Sequence, residues 1–464
     1  MLQTLLNVFK VPELRSKVLF TLAMLVVFRI GHWIPLPGVN QERMAEFFKD
    51  LGDDSALARM TQYVATFSGG ALSHSTIFGL GIAPYITASI IIQILSSATP
   101  AIKKIQEDGP TGRQKILEWT RYGTLGLCVV QGIGWIVYLE KSSLLYPHAL
   151  ASPLWWVMAV TALTAGTMFL MWLGEQIDKH GIGNGVSMII MAGILSTMPS
   201  AFNDIIVSFE PGVDGKMGVP ALVGIAFCFA LVCLGSVLMT VAQRRIPVHQ
   251  QKHVVRGRSV FGGQKSYLPL RINHGGVMPI VFASTIMMFP GMLLAYLQEW
   301  AAAAMPGSSF FGVATWLKNN FNHGEFPYVI TYVGMVYFFS YFWITVQFNA
   351  EEMAKQLKEH GSFIPGLRPG PRTAEYLDTV MTRITFVGAA FLSLMAVLPE
   401  VINKTLNVSP TITHFLGGTG LLIVVSVTLD FLQRVEANLL MRNYQGFLRD
   451  GGGGEAKLAK PGLR

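Results

Sequence analysis

The residues able to make or break bonds are few and poorly placed for it. The three cysteines, Cys128, Cys228 and Cys233, all lie inside apolar runs, where a free thiol behaves as a small hydrophobe. They form no zinc-type spacing and no disulfide framework. No serine–histidine pair, HExxH helix or phosphate-cradling glycine loop stands out along the chain. Ionisable groups within the apolar stretches reduce to Arg29, Arg121, Glu175, Arg383 and Asp430. Arg29 falls midway along the first stretch, and the other four fall toward stretch ends, where a side chain reaches water or a local partner. Ion-coupled transporters usually place carboxylates or histidines in mid-membrane, so neither catalysis, a cofactor, a metal nor ion coupling is expected of this chain.

The chemistry on offer is non-covalent. Branched aliphatics stand beside helix-loosening glycine and proline: Ile82 and Ile86 around Pro84, Val186 and Ile190 after the GIGNG turn, Val281 after Pro279, and Ile423 after Gly417 and Gly418. A spacing of four puts Ile82 with Ile86, and Val186 with Ile190, on one helix face each. Such residues read either as ordinary packing and lipid-facing groups, or as an oily constriction. A constriction of this kind excludes water and ions by dewetting yet yields to a passing chain without binding it.

Composition names the solvent that must position them. Of 464 residues, 51% are hydrophobic and only 13% charged, against about 25% charged in a soluble domain. The run Met60–Ile102 spans 43 residues without Asp, Glu, Lys or Arg, far more than the roughly 20 that one crossing needs. Gly69, Gly70, His74, Gly79, Gly81 and Pro84 interrupt it. Irregular backbone at membrane depth survives only where protein buries it or water reaches it. The run therefore divides into a short element near 66–75 and a span near 76–96, and the short piece is expected to stopper a pore whose wall includes the span.

Hydropathy places ten spans, near residues 18–37, 76–96, 118–139, 154–173, 186–202, 219–241, 275–297, 328–348, 380–397 and 415–432. The fold class is an all-α membrane protein of ten transmembrane helices in two halves of five. An odd-numbered half requires its repeat to be inverted. The divisions are an N-terminal segment at 1–17, a first half at 18–203, a second half at 204–432 and a tail at 433–464. No short apolar region with a small-residue cleavage site precedes the first span, which is expected to act as its own insertion signal.

Even spans put both termini on one side. Of the 35 Lys and Arg, 25 fall on that side, while the other holds Arg43, Lys49, Arg59, Lys141, Lys216, Lys318 and Lys404. The bias places the termini and both long loops in the cytoplasm.

The first of those loops, 243–274, carries seven Lys/Arg and no Asp or Glu. It reads either as headgroup attraction, at about 1 kcal/mol per basic residue, or as a docking surface for a polyanionic or acidic partner. The second, 349–379, begins as a helix capped by Asn349, with Glu351 and Glu352 complementing its dipole and Gly361 suiting its stop. FIPGLRPGPR follows, where three prolines stiffen a turn displaying Arg368 and Arg372.

Several long segments together resemble the SecY family, the channel subunits of the bacterial protein translocon. They are FSGGALSHSTIFGLGIAPYITASIIIQIL, TRYGTLGLCVVQGIG, GTMFLMWLGEQIDKHGIGNG, LPLRINHGGVMPIVFAS and GSFIPGLRPGPRT, in the family's order and spacing from about Val11 to Tyr444. The resemblance implies a clamshell around an hourglass pore, with a pore ring at Ile82, Ile86, Val186, Ile190, Val281 and Ile423. It implies a plug over about 60–77, with Phe67, Ser68, Gly69, Gly70, Leu72 and Ile77. It implies a lateral gate between spans two/three and seven/eight, with polar contacts at Thr87, Gln131 and Asn273. Motor or ribosome docking is carried to Arg244, Arg245, Arg256, Arg258, Arg368 and Arg372; Gly257–Ser259 departs from the consecutive basic residues common in relatives. The implied function is a passive conduit, in the bacterial cytoplasmic membrane, for unfolded secretory polypeptides and for membrane helices released sideways. The implied partners are the small subunits SecE and SecG, the SecA ATPase, the ribosome, signal peptides with nascent chains, and anionic lipids. A secondary transporter is the rival class, and it would require a charged or ion-coordinating site at mid-membrane.

Overall fold

The computed structural model describes residues 11–50, 69, 75–147, 153–209, 218–250, 253–255, 259–261, 265–304, 308–321, 325–406 and 419–450. The first half runs α1 (Pro12–Gly31), the short α2 (Gln41–Asp50), α3 (Ala83–Ala98), the short α4 (Pro100–Glu107), α5 (Pro110–Lys141), α6 (Pro153–His180) and α7 (Gly185–Ser208). Proline stands in the first two positions of α1, α3, α4 and α5, where its missing N–H costs nothing and its fixed φ suits the helix. α7 starts sharply after α6. The Asn184 carboxamide accepts the Ser187 amide at 3.2 Å, and Asp178 accepts the Gly185 amide at 2.7 Å, so two otherwise orphaned amides are satisfied.

The second half opens with α8 (Val219–Val241), followed by β1 (Gln243–Gln250), β2 (His253–Val255), β3 (Ser259–Phe261) and β4 (Lys265–Arg271). Then come α9 (Met278–Ala304), α10 (Ser309–Asn320), α11 (Phe326–Gln347), α12 (Ala350–Glu359), the two-residue β5 (Ser362–Phe363), α13 (Pro371–Leu406) and α14 (Thr419–Asp450). Asn349 caps α12, accepting the Glu352 amide at 3.3 Å, and Gly361 adopts φ +63° beyond it. Both features follow from the sequence of that loop.

Each expected span overlaps one described helix of at least 16 residues. Among the described residues, six helices are long and apolar enough to cross a membrane, and Ala83–Ala98 and Met278–Met287 are shorter apolar stretches. In the first half α5 packs on α3 and α6, and α6 on α1 and α7; in the second, α11 packs on α9 and α13, and α8 on α13 and α14. The halves also meet where α7 packs on α14. A central apolar cluster gathers Ile86, Ile190, Val281, Phe339 and Ile423 from both halves. A second cluster, with Leu36, Leu80, Ile136 and Leu163, closes one end of the first half.

Three expectations need correction. α1 begins at Pro12, ahead of the expected span, so Arg29 lies exposed in its last turn rather than midway. The span expected near 154–173 continues as α6 through the polar GEQIDKH to His180, and the turn is confined to Gly181–Asn184. The two long loops, 243–274 and 349–379, are not separate: β1 pairs antiparallel with β4 along Gln243↔Arg271 to His249↔Lys265, and β5 pairs on the other edge of β1 through His249↔Phe363 and Gln250↔Ser362. Ile246, Val248 and Leu270 from the first loop bury against Ile364 of the second and Leu377 and Met381 of α13. The two loops form one platform with its own small core.

Close approach of α6 to α7 depends on glycine. A Cβ at Gly185 would collide with the backbone carbonyl of Gly174, which no rotamer change can move aside. Gly185→Ala is expected to destabilise the protein by about 1–3 kcal/mol, the range of overpacking in a well-packed interior. A lowered thermal-unfolding midpoint in detergent checks this; an unchanged midpoint contradicts it.

Candidate pore constriction

Five helices line one small cavity between the halves, and four of them supply its branched aliphatics. Ile86 of α3, Val186 and Ile190 of α7, Val281 of α9 and Ile423 of α14 all line a space of about 60 Å³. Ile82 stands at the start of α3, 1% exposed in the same apolar cluster, and its carbonyl accepts the Ile86 amide at 3.1 Å. Local sequence explains the placement. Gly81 takes φ +58° before Pro84 opens α3, the Asn184 cap starts α7 two residues before Val186, and Gly276 takes φ +59° before α9. The aliphatic residues on these three helices therefore sit within their first two turns.

The cavity borders a wider one, and Ser187, Val277, Met278 and Val427 line both. The wider space, about 190 Å³, is walled by Asn184, Arg271, Asn273, His274, Asp430 and Arg434 among others. Arg434 donates to Asp430 at 2.8 Å, and Arg271 to the Gln433 carboxamide at 3.1 Å. A polar mouth thus adjoins an apolar waist. Water entering the waist finds few hydrogen-bond partners, which is the physical condition for dewetting.

The expected gate residues are not brought together. Asn273 lines the polar mouth. Thr87 donates to the carbonyl of Ala83 in its own helix at 3.0 Å and is not on the cavity wall, and Gln131 is half-buried on α5. The α3 side chains that do face the cavity besides Ile86 are Tyr85, Ser89 and Gln93, opposite Phe282 of α9 and Trp343 of α11. Gln93 donates to Ser89 at 3.2 Å, and Ser284 hydrogen-bonds Tyr332 at 3.0 Å, joining α9 to α11. The spacing 85, 89, 93 is a helical face that could have been read from the sequence.

Of the plug residues, Phe67, Ser68, Gly70 and Leu72 lie outside the described residues. The carbonyl of Gly69 accepts the Ser196 hydroxyl of α7 at 3.2 Å, and a Cβ there would press on Gly193 and His32. Ile77 is half-buried against the central cluster, and its amide donates to Ile34 at 3.1 Å. Of the docking arginines, Arg256 and Arg258 lie outside the described residues, Arg244 and Arg245 are exposed on β1, and Arg368 and Arg372 are exposed around the start of α13. Both exposed pairs belong to the platform built on β1.

His274, between β4 and α9, has its Nδ1 enclosed without a hydrogen-bond partner among the described residues and its ring edge-on to Phe348 at 6.1 Å. Burial pushes its imidazole pKa down, and the Arg271 guanidinium adds to the shift. Protonation is then resisted by the fold and tolerated by the unfolded chain. Stability from this group is intact above the unfolded pKa of about 6.5 and declines as pH falls below it. The thermal midpoint is expected to drop between about pH 7.5 and 5.5, and His274→Leu to flatten that slope; an equal slope in the variant contradicts the assignment.

The SecY family model matches residues 76–432. The chain is 36% identical over 463 residues to the protein translocase subunit SecY of Chlamydia muridarum, covering 96% of this chain and 98% of that one. Its fold is similar to a solved protein-conducting channel, with a TM-score of 0.60 at 17% identity, covering 91% of this chain and 92% of the other. It is also similar to Sec61 in a canine ribosome–channel complex from the endoplasmic reticulum, with a TM-score of 0.55 at 15% identity, over 91% and 92% of the two chains.

Proposed function

Because this chain belongs to the SecY family, we infer that it is the protein-conducting channel subunit of a bacterial translocase, a multi-pass membrane protein that passes unfolded polypeptide through the space between its halves. The observation that carries this reading is the meeting of aliphatic side chains from four helices at one apolar waist beneath a polar mouth. The ring of Ile82, Ile86, Val186, Ile190, Val281 and Ile423 seals against water at rest and closes loosely around a chain in transit, offering surface without specific bonds. The segment 60–77 acts as the plug beyond it. The two halves act as inverted repeats around the pore.

The work of pulling or pushing comes from outside. The basic platform bearing Arg244, Arg245, Arg368 and Arg372, together with Arg256 and Arg258 of the same 243–274 loop sequence, receives either the ribosome or a cytosolic ATPase such as SecA, on the cytoplasmic side with both termini. SecE and SecG accompany the chain, and anionic lipids meet its basic rim. A signal peptide inserts its apolar helix between α3/α5 and α9/α11 and stabilises the open state, a population shift that needs no chemistry of the channel. Tyr85, Ser89 and Gln93 join Asn273 as the polar contacts of this sideways opening.

The test is reconstitution of the full chain with its accessory subunits in vesicles. Uptake of an unfolded secretory precursor, dependent on the ATPase and a nucleoside triphosphate, is the expected result. Exchange of small solutes without precursor uptake or ion leak would overturn it.

A further inference from the structure

Ser75 combines properties that a serine rarely combines. It is 0% exposed and adopts φ +42°, in the left-handed region that side chains other than glycine avoid. Such a conformation persists only when the surroundings impose it. The surroundings here are specific. The Leu36 amide donates to the Ser75 carbonyl at 2.9 Å, Thr76 bridges Pro35, and the Ile77 amide donates to Ile34. Residues 75–77 are thereby stitched to the chain just after α1. The side chain points the other way: its Oγ accepts the indole N–H of Trp135, on α5, at 3.1 Å. Trp135 packs beside Tyr138, with ring centroids 5.3 Å apart, and against the apolar cluster at that end of the first half.

Glycine would take this backbone conformation at less cost, but it would give Trp135 no acceptor. The strained residue is the one that makes the bond. Building on the channel reading, we propose that the Trp135–Ser75 hydrogen bond is a clamp that ties α5, one wall of the sideways opening, to the stitched segments between α1 and α3, and so sets how readily the gate opens at rest. Outward movement of α5 by less than an ångström lengthens the bond beyond the reach of about 3.2 Å that such bonds keep. Ser75 is then free to relax. The resting position of α5 is thus held by one directional contact in addition to side-chain packing, and losing it frees that wall to move and shifts the resting balance toward the open state.

Trp135→Phe keeps the ring and removes the donor; Ser75→Ala keeps the φ cost and removes the acceptor. The readout is potassium efflux from membrane vesicles containing the full channel complex, before and after adding a synthetic apolar helical peptide with a basic N-terminus. Loss of one net hydrogen bond predicts a resting efflux about fivefold higher in either variant. The peptide-saturated efflux stays unchanged, so the peptide-induced ratio falls by the same factor. The double variant leaks no more than either single one, since both remove the same bond. Unchanged resting efflux overturns the clamp. So does a rise in resting and saturated efflux together, or multiplied effects in the double variant, which would mark general loosening. Ile86→Gly with Ile190→Gly, measured alongside, separates the two claims: if that variant fails to leak, the channel reading falls, and if it leaks while both clamp variants behave as the parent, only the clamp falls.

Discussion

Arg368→Glu is expected to abolish translocation while leaving the channel folded, inserted and closed. Arg368 is exposed on a stiff turn between β5 and α13, and among the described residues only its backbone is engaged, its carbonyl accepting the Thr373 hydroxyl at 2.9 Å. Its guanidinium is therefore available to a partner at little cost to the fold. Gly366 at φ +85° and Gly370 at φ +123° fix the turn on either side, so little ordering entropy is lost when the partner docks. Reversing a charge at the centre of a docking surface removes a favourable contact and installs a repulsive one. Together these cost about 3–5 kcal/mol, enough to weaken docking by more than about 100-fold. Precursor uptake into vesicles should fall to background, with protein level and resting ion leak as in the parent. Normal uptake would remove Arg368 from docking.

The second large effect concerns the seal. Replacing Ile86 and Ile190 together with glycine removes four carbons from each of two side chains that line the waist. At about 0.8 kcal/mol per buried carbon, with half of that surface facing the lumen, the cost of wetting falls by about 3 kcal/mol. Resting ion conductance should rise by about two orders of magnitude. Glycine also weakens a helix by roughly 0.5–1 kcal/mol, so the controls are glycine at Ile91 of α3 and Leu195 of α7, which are 49% and 40% exposed. These should leave conductance unchanged. Leak from the controls, or none from the waist pair, would detach the aliphatic ring from sealing.

Much of this could be read from the chain because a bilayer imposes a coarse and regular rule. Apolar runs give the positions of the long helices, and glycine or proline next to branched aliphatics points to the waist. Five of the six singled-out aliphatics line one cavity, and Ile82 lies one helical turn from Ile86. Helix limits were less legible. Pro12 at the head of α1 signals an early start that the apolar run alone conceals, and this displaced Arg29. Polar GEQIDKH looks like a turn by hydropathy, yet Arg121 holds Glu175 through two bonds of 2.9 and 2.8 Å and the segment stays helical. The β platform was missed because its alternation, Ile246 and Val248 against Leu268 and Leu270, is short and set among charges. Its third strand comes from a segment more than a hundred residues later. The cavity wall on α3 was less legible for a related reason: polar type pointed to Thr87, while helix phase puts Ser89 and Gln93 on the cavity. Ser75 carries no local signal at all, because its conformation is imposed by Leu36 and Trp135.

The central claim is that a moving polypeptide passes through the waist. Photo-reactive residues at Ile86, Ile190, Val281 and Ile423, one at a time, with Phe227 as an outward-facing control at 69% exposure, would be tested against a secretory chain stalled in transit. Cross-links from all four waist positions, and none from Phe227, are what the account predicts. Cross-links to lipid from the waist positions, with the stalled chain captured elsewhere, would contradict it.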